Sequence, residues 1–386
     1  MSLTVHKRQI HKGERLALYI PSLVGGGAER VTVNLANGMA EKGVQVDLVV
    51  ADARGPYLEQ VSKKVRVLDL GASRVLTSLP SLIQYLRRDK PKALISALNH
   101  ANVMALIARQ LSGVKTKIIV VEHSSLDFLK HSSEDVKRKS AMTFRSVQFF
   151  YRFADLIVGV SKRVVDDIRE YTRLSRDKFR VIYNPVISEE MLQKAEEKLR
   201  DEWFAEGEPP VILAAGRLEE EKDFATLIKA FAKLRSHMDA RLMILGEGSK
   251  RPELEALAKH LDLAEDIRLP GFVSNPYPYM KHAHLFVLSS LYEGLPTVLI
   301  EALSLGTPVV STDCVSGPSE ILKGGKHGAL VPIQDAPSLA KAMLNTLIMP
   351  GKRVERSALY PFTKEAAINA YLEAAEIPLN QERTIR

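Results

Sequence analysis

Cysteine is almost absent: Cys314 is the single one in 386 residues. One thiol builds neither a disulfide framework nor a cysteine-ligated metal site, and such scarcity suits a reducing cytoplasm. A membrane-spanning run is missing too. The longest first-half stretch without Asp, Glu, Lys or Arg, from Ala93 to Ala108, is interrupted by Asn99, His100 and Asn102 and is shorter than the ~20 apolar residues a span needs. The opening MSLTVHKRQIHKGER has no apolar core that could act as a secretory signal. These absences predict a cytoplasmic protein. Low-complexity segments and recognisable internal repeats are also lacking. What remains is 46% hydrophobic and 26% charged, the mixture of a globular chain of roughly two to three domains with a core of normal size.

Acidic residues are scarce in one half only. From Met1 to Pro185 there are 31 Lys and Arg against 17 Asp and Glu, a net +14, whereas the remainder has 23 against 29, a net −6, within an overall +8. A basic half of this kind fits nucleic acid, the anionic surface of a membrane or a phosphate-bearing substrate.

Short apolar runs alternate with longer amphipathic ones. Leu16 to Pro21, Val44 to Ala51, Val65 to Leu70, Ala93 to Ala97, Lys117 to Glu122, Leu156 to Val160 and Arg180 to Tyr183 predict strands. Several are apolar on both faces, which indicates a parallel sheet covered on both sides by helices. The charged segment from Ser188 to Pro210 reads as a connector. The pattern then restarts with predicted strands at Val211 to Gly216, Arg241 to Gly246, Leu285 to Ser289 and Pro308 to Ser311. The expectation is an α/β protein of two doubly wound, Rossmann-like domains, residues 1–187 and 211–360, joined by 188–210 and facing a central cleft.

Three motifs carry chemistry. The first predicted strand leads into PSLVGGGAER, where the glycines make either a simple tight turn or a turn whose following helix start offers free N–H groups to a phosphate or a carboxylate. Neither the Walker A nor the dinucleotide glycine fingerprint is met. In the second half, GRLEEEKDF places Arg217 and Lys222 where a fork and a point charge could converge on a diphosphate, or stand as a solvated pair beside Glu219, Glu220 and Glu221. EGLPTVLIE sets Glu293 in a loop and Glu301 inside a helix that is apolar almost all round. A carboxylate there needs a partner. Two carboxylates bracketing a helix start suit the hydroxyls of a polar ligand.

On these residues the chain resembles the family 4 glycosyltransferases, which have the GT-B fold. The matching pieces are GRLEEEKDF, LGEG at Leu245 to Gly248, PGFVSN at Pro270 to Asn275, SSLYEGLPTVLIEALSLGTPVVSTD at Ser289 to Asp313 and GPSE at Gly317 to Glu320. GGGAER, the Glu122-His123 pair and VGVSK at Val158 to Lys162 extend the match into the first half, while VIYNPV at Val181 to Val186 departs from the commoner Asn-Gly ending.

The resemblance implies a retaining hexosyltransferase that uses a nucleotide diphosphate sugar. Arg217 and Lys222 would hold the donor diphosphate, Glu301 the ribose hydroxyls and Glu293 the transferred sugar. Backbone groups at Gly216, Gly246, Gly294, Leu295, Pro296, Thr297 and Val298 would line the donor site, with Phe272 and Val273 by the base and Gly26 and Gly27 closing from the first domain. His123 would contact the donor sugar, and Asn99 and His100 the acceptor side. Among the roles the family implies, Glu293, His123, Arg217 and Lys222 are the catalytic candidates. The departing phosphate would take the acceptor proton, so no protein nucleophile, cofactor or metal is expected; the nearest approach to Asp-x-Asp is the adjacent Asp166-Asp167. A helix over about 361–378 would pack back on the first domain, as in relatives.

A UDP-linked hexose or N-acetylhexosamine is the expected donor, and a saccharide carried on a lipid diphosphate, in bacterial surface polysaccharide or glycan assembly, the expected acceptor. The basic residues and aromatics of Lys130 to Phe153 suit either an interfacial helix or a crossover helix whose aromatics pack on the sheet and whose charges face water; the first reading predicts a peripheral location on the inner face of the cell membrane. A nucleotide-sugar epimerase or hydrolase is the alternative enzyme. A nucleic-acid-binding protein is disfavoured by the acidic second half and the absence of any such motif.

Overall fold

The computed structural model describes residues 14–24, 26–123 and 145–378. Residues 130–144 of the expected interfacial segment lie outside these. Thirteen described strands form two all-parallel sheets. The first, ordered β3-β2-β1-β4-β5-β6-β7, contains β1 (Arg15–Ile20), β2 (Gln45–Val50), β3 (Arg66–Asp69), β4 (Ala93–Ala97), β5 (Lys117–Glu122), β6 (Leu156–Gly159) and β7 (Phe179–Val181). The second, ordered β10-β9-β8-β11-β12-β13, contains β8 (Val211–Ala215), β9 (Arg241–Leu245), β10 (Ile267–Gly271), β11 (Leu285–Leu288), β12 (Val309–Thr312) and β13 (Ala329–Val331).

The runs that read as apolar on both faces are the central strands: Leu16 to Ile20 and Val211 to Ala215 are buried throughout. Continuous burial follows from helices covering both faces of a parallel sheet. The strand order reverses at β1/β4 and again at β8/β11. Crevices open at such switch points, beyond the carboxyl ends of the strands. β10 and β13, which the apolar runs do not reveal, are edge strands: IRLPG carries Pro270 and Gly271 and ALV is three residues long.

The chain crosses between the domains twice, side by side. Val186 and Ile187 donate to the Phe362 carbonyl, both at 3.0 Å, and Lys364 N donates to the Ile187 carbonyl at 2.8 Å. Beyond this crossing the Lys364–Ala374 helix lies on the first domain against the Gly27–Glu41 helix. Lys42 Nζ reaches Asn369 at 2.8 Å and Lys364 Nζ reaches Glu41 at 3.1 Å. Gly38 permits this approach, since a Cβ there would come within 2.2 Å of the Ile368 side chain. The connector is anchored on the second domain, where the Arg241 and Arg268 guanidiniums stack on Trp203 at 5.1 and 4.1 Å.

Candidate functional site

Every candidate follows a strand's carboxyl end. After β8, Gly216 N donates to the Leu245 carbonyl at 2.9 Å, and Gly246 N donates to the Gly271 carbonyl at 2.8 Å, so the loops after β8, β9 and β10 lie in one layer. Gly246 has φ +139, and a Cβ on it would stand 1.9 Å from the Gly216 carbonyl oxygen. No other residue fits that position without moving backbone.

Lys222 and Glu293, 71 residues apart, meet here. Lys222 Nζ donates to Glu293 Oε1 at 2.6 Å, and both side chains are largely covered, at 17% and 11% exposure. Ser290 Oγ donates to the same carboxylate oxygen at 2.7 Å, while Ser289 Oγ donates to the Lys222 carbonyl at 2.7 Å. The end of β11 thus holds both partners. Arg217 does not join them: its side chain is 76% exposed and pairs with Glu221 at 2.6 Å. Phe272 is exposed and Val273 half-buried on the loop after β10. Cys314 is buried near the Lys222–Glu293 pair, and burial pushes its thiol up to about 12, leaving it protonated.

Gly294 to Pro296 lead into the Thr297–Leu305 helix, whose N-cap, Pro296, makes no side-chain capping bond. Its first N–H groups, at Thr297 and Val298, have no intrahelical acceptor and carry the positive end of the helix dipole. Leu295 and Pro296 are buried, and the Gly294 carbonyl accepts from Ser316 Oγ at 2.8 Å. Deeper in this helix, Glu301 is buried, and burial pushes its carboxyl upward while Arg30 pulls it back. Arg30 Nη2 lies 3.4 Å from Glu301 Oε1 and donates to the Tyr277 hydroxyl at 2.8 Å. The partner that the apolar helix demands therefore comes from the opposite domain, 271 residues away.

The first domain faces this wall with the loops after β1, β4 and β5. Gly26 caps the Gly27–Glu41 helix without a side-chain bond. The Glu29 carboxylate folds back against Gly26 and also acts on His100, which places the glycine turn beside the loop after β4. Asn99 and His100 begin the Asn99–Ser112 helix, after Leu98 at φ +78. His123, directly after β5, is pushed down to about 4 by burial, so its imidazole is neutral near pH 7. Glu122 beside it is buried and receives hydrogen bonds from the Tyr151 hydroxyl and from Asn102 Nδ2, the latter at 2.9 Å. Burial pushes Glu122 up to about 7.

Sequence reasoning misses Arg30, Tyr277, Asn102 and Tyr151, because each acts through a partner distant in the chain. The motif VGVSK finds its place at the domain interface. Ser161 caps the Lys162–Thr172 helix and lies 3.1 Å from Ser316 Oγ, while Glu320 of GPSE accepts from Lys162 N at 2.9 Å and from the Tyr183 hydroxyl at 2.6 Å. No group of three His, Cys, Asp or Glu able to hold a metal ion occurs among the described residues, and no described helix is long and apolar enough to cross a membrane.

The profile described as Glycosyltransferase Family 4 matches residues 25–190, and that described as Glycosyl transferases group 1 matches residues 195–358. The chain is 32% identical over 347 residues to the N-acetylgalactosamine-N,N'-diacetylbacillosaminyl-diphospho-undecaprenol 4-alpha-N-acetylgalactosaminyltransferase of Campylobacter jejuni, covering 86% of this chain and 90% of that protein. It is 28% identical to the lipopolysaccharide core biosynthesis glycosyltransferase LpsE of Rhizobium meliloti, covering 90% and 95%. The Anabaena HepE crystal structure in complex with UDP superposes with a TM-score of 0.76 at 20% identity, covering 94% of this chain and 100% of that one, a likeness of fold. Two facing parallel-sheet domains, with a Lys–Glu pair and a buried Glu around one helix start, thus accompany matches along almost the whole chain, and the protein belongs to glycosyltransferase family 4, as a hexosyltransferase with the GT-B fold.

Proposed function

We propose that this enzyme transfers a hexose or N-acetylhexosamine, with retention, from a UDP-linked donor to a saccharide carried on a lipid diphosphate. The observation that carries the donor half is the Lys222–Glu293 ion pair at 2.6 Å, set before an uncapped helix start with the buried Glu301 on the same helix. A cation, free N–H groups and two carboxylates in one crevice match a sugar diphosphate: the first two face negative phosphate, the carboxylates accept from hydroxyls. Lys222 turns from Glu293 to the diphosphate as the donor enters, and Arg217, at the rim, folds in beside it. Glu293 then accepts hydrogen bonds from the sugar, and Glu301 from the ribose.

In the reaction the bond from the anomeric carbon to the phosphate oxygen breaks, and a bond from that carbon to the acceptor oxygen forms on the same face. The acceptor proton passes to the departing phosphate, yielding a nucleoside diphosphate and a lengthened saccharide. Lys222 and the helix N–H groups stabilise the growing phosphate charge, which is where placed charge is worth most. His123, neutral near pH 7, offers the donor sugar a hydrogen bond without adding charge, and Asn99 and His100 face the acceptor.

The acceptor half is supported by the relative whose name specifies a diphospho-undecaprenol substrate, and the choice of UDP by the neighbour that holds UDP. The net +14 of the first domain suits a lipid diphosphate at the inner membrane face. Phe149, half-exposed with Arg152 stacked 4.7 Å over its ring, gives that domain an apolar contact beside a cation. A thermal-shift panel of nucleotide sugars, followed by transfer of a labelled sugar to a polyprenyl-diphosphate saccharide, tests both halves. One UDP-sugar is expected to stabilise the protein and to label the lipid. Stabilisation by none removes the donor assignment, and release of free sugar without any lipid product favours a hydrolase.

A further inference from the structure

Arg30 stands in the first turn of the Gly27–Glu41 helix, yet its strongest contacts lie in the other domain. One nitrogen, Nη2, donates to the Tyr277 hydroxyl at 2.8 Å and lies 3.4 Å from Glu301 Oε1. Among the described residues this is the only ion pair that the Glu301 carboxylate makes, and Glu301 is 4% exposed. A buried carboxylate without a cation takes up a proton, and a protonated carboxyl has given up part of its accepting capacity. The guanidinium thus decides whether Glu301 can receive two hydroxyls. The same side chain reaches from the first domain to the second.

We propose that Arg30 is a cross-cleft positioning residue, which keeps Glu301 ionised for the donor's ribose and ties the first domain over the nucleoside end of the site. This rests on the reading of Glu301 as the ribose acceptor. It makes donor affinity and domain closure depend on one side chain.

The groups around this cluster are few. Arg30 and Tyr57 come from the first domain, Tyr277 from the Tyr277–His282 helix and Glu190 from the connector helix Glu189–Lys194. Other charged groups near the Glu301 helix are engaged elsewhere: Lys281 pairs with Glu196, Lys194 with Glu190 and Lys364 with Glu41. Glu320 holds Lys162 N and Tyr183, His282 contacts the Pro278 carbonyl, Arg353 donates to the Leu305 carbonyl at 3.3 Å, and Arg356 lines a separate cavity with Ser304, Gly38 and Lys364. Arg30 is therefore the cation that opposes burial at Glu301. Donor binding is lost as pH falls through the Glu301 pKa, and loss of Arg30 moves that fall to higher pH.

The test uses the full chain as wild type, Arg30→Met, Arg30→Lys and Tyr277→Phe. UDP affinity is measured by calorimetry from about pH 5 to 9, and the radius of gyration without ligand by small-angle scattering. Arg30→Met is expected to bind UDP about 10-fold more weakly near neutral pH, with the gap widening toward acid, and to be more open without ligand. Arg30→Lys keeps the acid limb nearer wild type, and Tyr277→Phe shifts it less than Arg30→Met. An Arg30→Met affinity profile running parallel to wild type across pH overturns the proposal, because a merely structural loss weakens binding evenly. If wild type binds no UDP, the donor reading fails, and scattering still decides on Arg30: an unchanged radius of gyration overturns the tie.

Discussion

Lys222 is held before any donor arrives. Its ammonium shares Glu293 Oε1 with Ser290 and its carbonyl is held by Ser289, while its own N–H is tied to the Glu219 carbonyl at 3.1 Å, so the end of β11 and its own loop fix it together. Replacing it leaves Glu293 partly buried without a cation and, in the proposed reaction, removes charge from the departing phosphate. Lys222→Ala is expected to lower kcat at least about 10²-fold, measured as sugar transfer at saturating donor. A second residue-scale effect concerns stability. Glu122 is pushed up to about 7 mainly by burial, with Tyr151 and Asn102 opposing, from an ordinary value of 4.5. Between those values the folded protein holds a proton that the unfolded chain has released, so the Glu122 contribution favours folding below about 4.5 and is lost as pH rises through 7. Glu122→Gln is expected to flatten the decline of melting temperature from pH ~5 to ~8. An unaltered slope in calorimetric scans would assign the decline to other groups.

Helix starts and strand ends supply the geometry at the next scale. The Lys162–Thr172 helix begins at Ser161, whose Oγ accepts from Val164 N at 3.3 Å and also lies beside Ser316, which in turn donates to the Gly294 carbonyl. One serine thus caps a first-domain helix and, through Ser316, steadies the loop between Glu293 and the Thr297–Leu305 helix. Ser161→Ala is expected to cost about 1 kcal/mol of stability, read from urea unfolding, and to raise KM for the donor more than it lowers kcat. Gly246→Ala faces a backbone oxygen at 1.9 Å with φ +139, and is expected to cost at least ~2 kcal/mol in the same assay.

The central strands were readable because a continuous apolar run of five or six residues is too short for a packed helix and too apolar for a surface loop. The need of Glu301 for a partner was readable from the same kind of pattern: its neighbours are Ile300, Ala302 and Leu303. The partner was not, since Arg30 lies 271 positions earlier in an ordinary amphipathic helix. For Arg217 the solvated alternative beside the run of glutamates was open in the sequence, and its pairing with Glu221 four residues on matches that alternative, whereas Lys222 is drawn in by Glu293. β10 and β13 were not readable because Pro270 and Gly271 break the apolar run of the one and the other is only three residues long.

Across the whole molecule the charge division follows the sheets: the +14 half carries β1–β7 and the −6 half carries β8–β13. Attraction to anionic lipid should then reside in the first domain and weaken with salt. Sedimentation with anionic liposomes is expected to bring the protein down at low ionic strength and release it by about 0.5 M salt, while neutral liposomes leave it in solution. Equal, negligible binding to both would leave the basic half without a membrane role.

The returning Lys364–Ala374 helix also constrains how the protein is made. The first sheet is complete at Val181, but one wall of its domain, packed on Gly38 of the opening helix, is supplied by residues nearly two hundred positions later. A ribosome emitting this chain releases the first domain with an apolar face uncovered while the whole second domain is still being synthesised. Until Ile368, Tyr371 and Leu372 emerge, that face is open to chaperones or to a neighbouring nascent chain, so a helix translated after the whole second sheet completes the first domain.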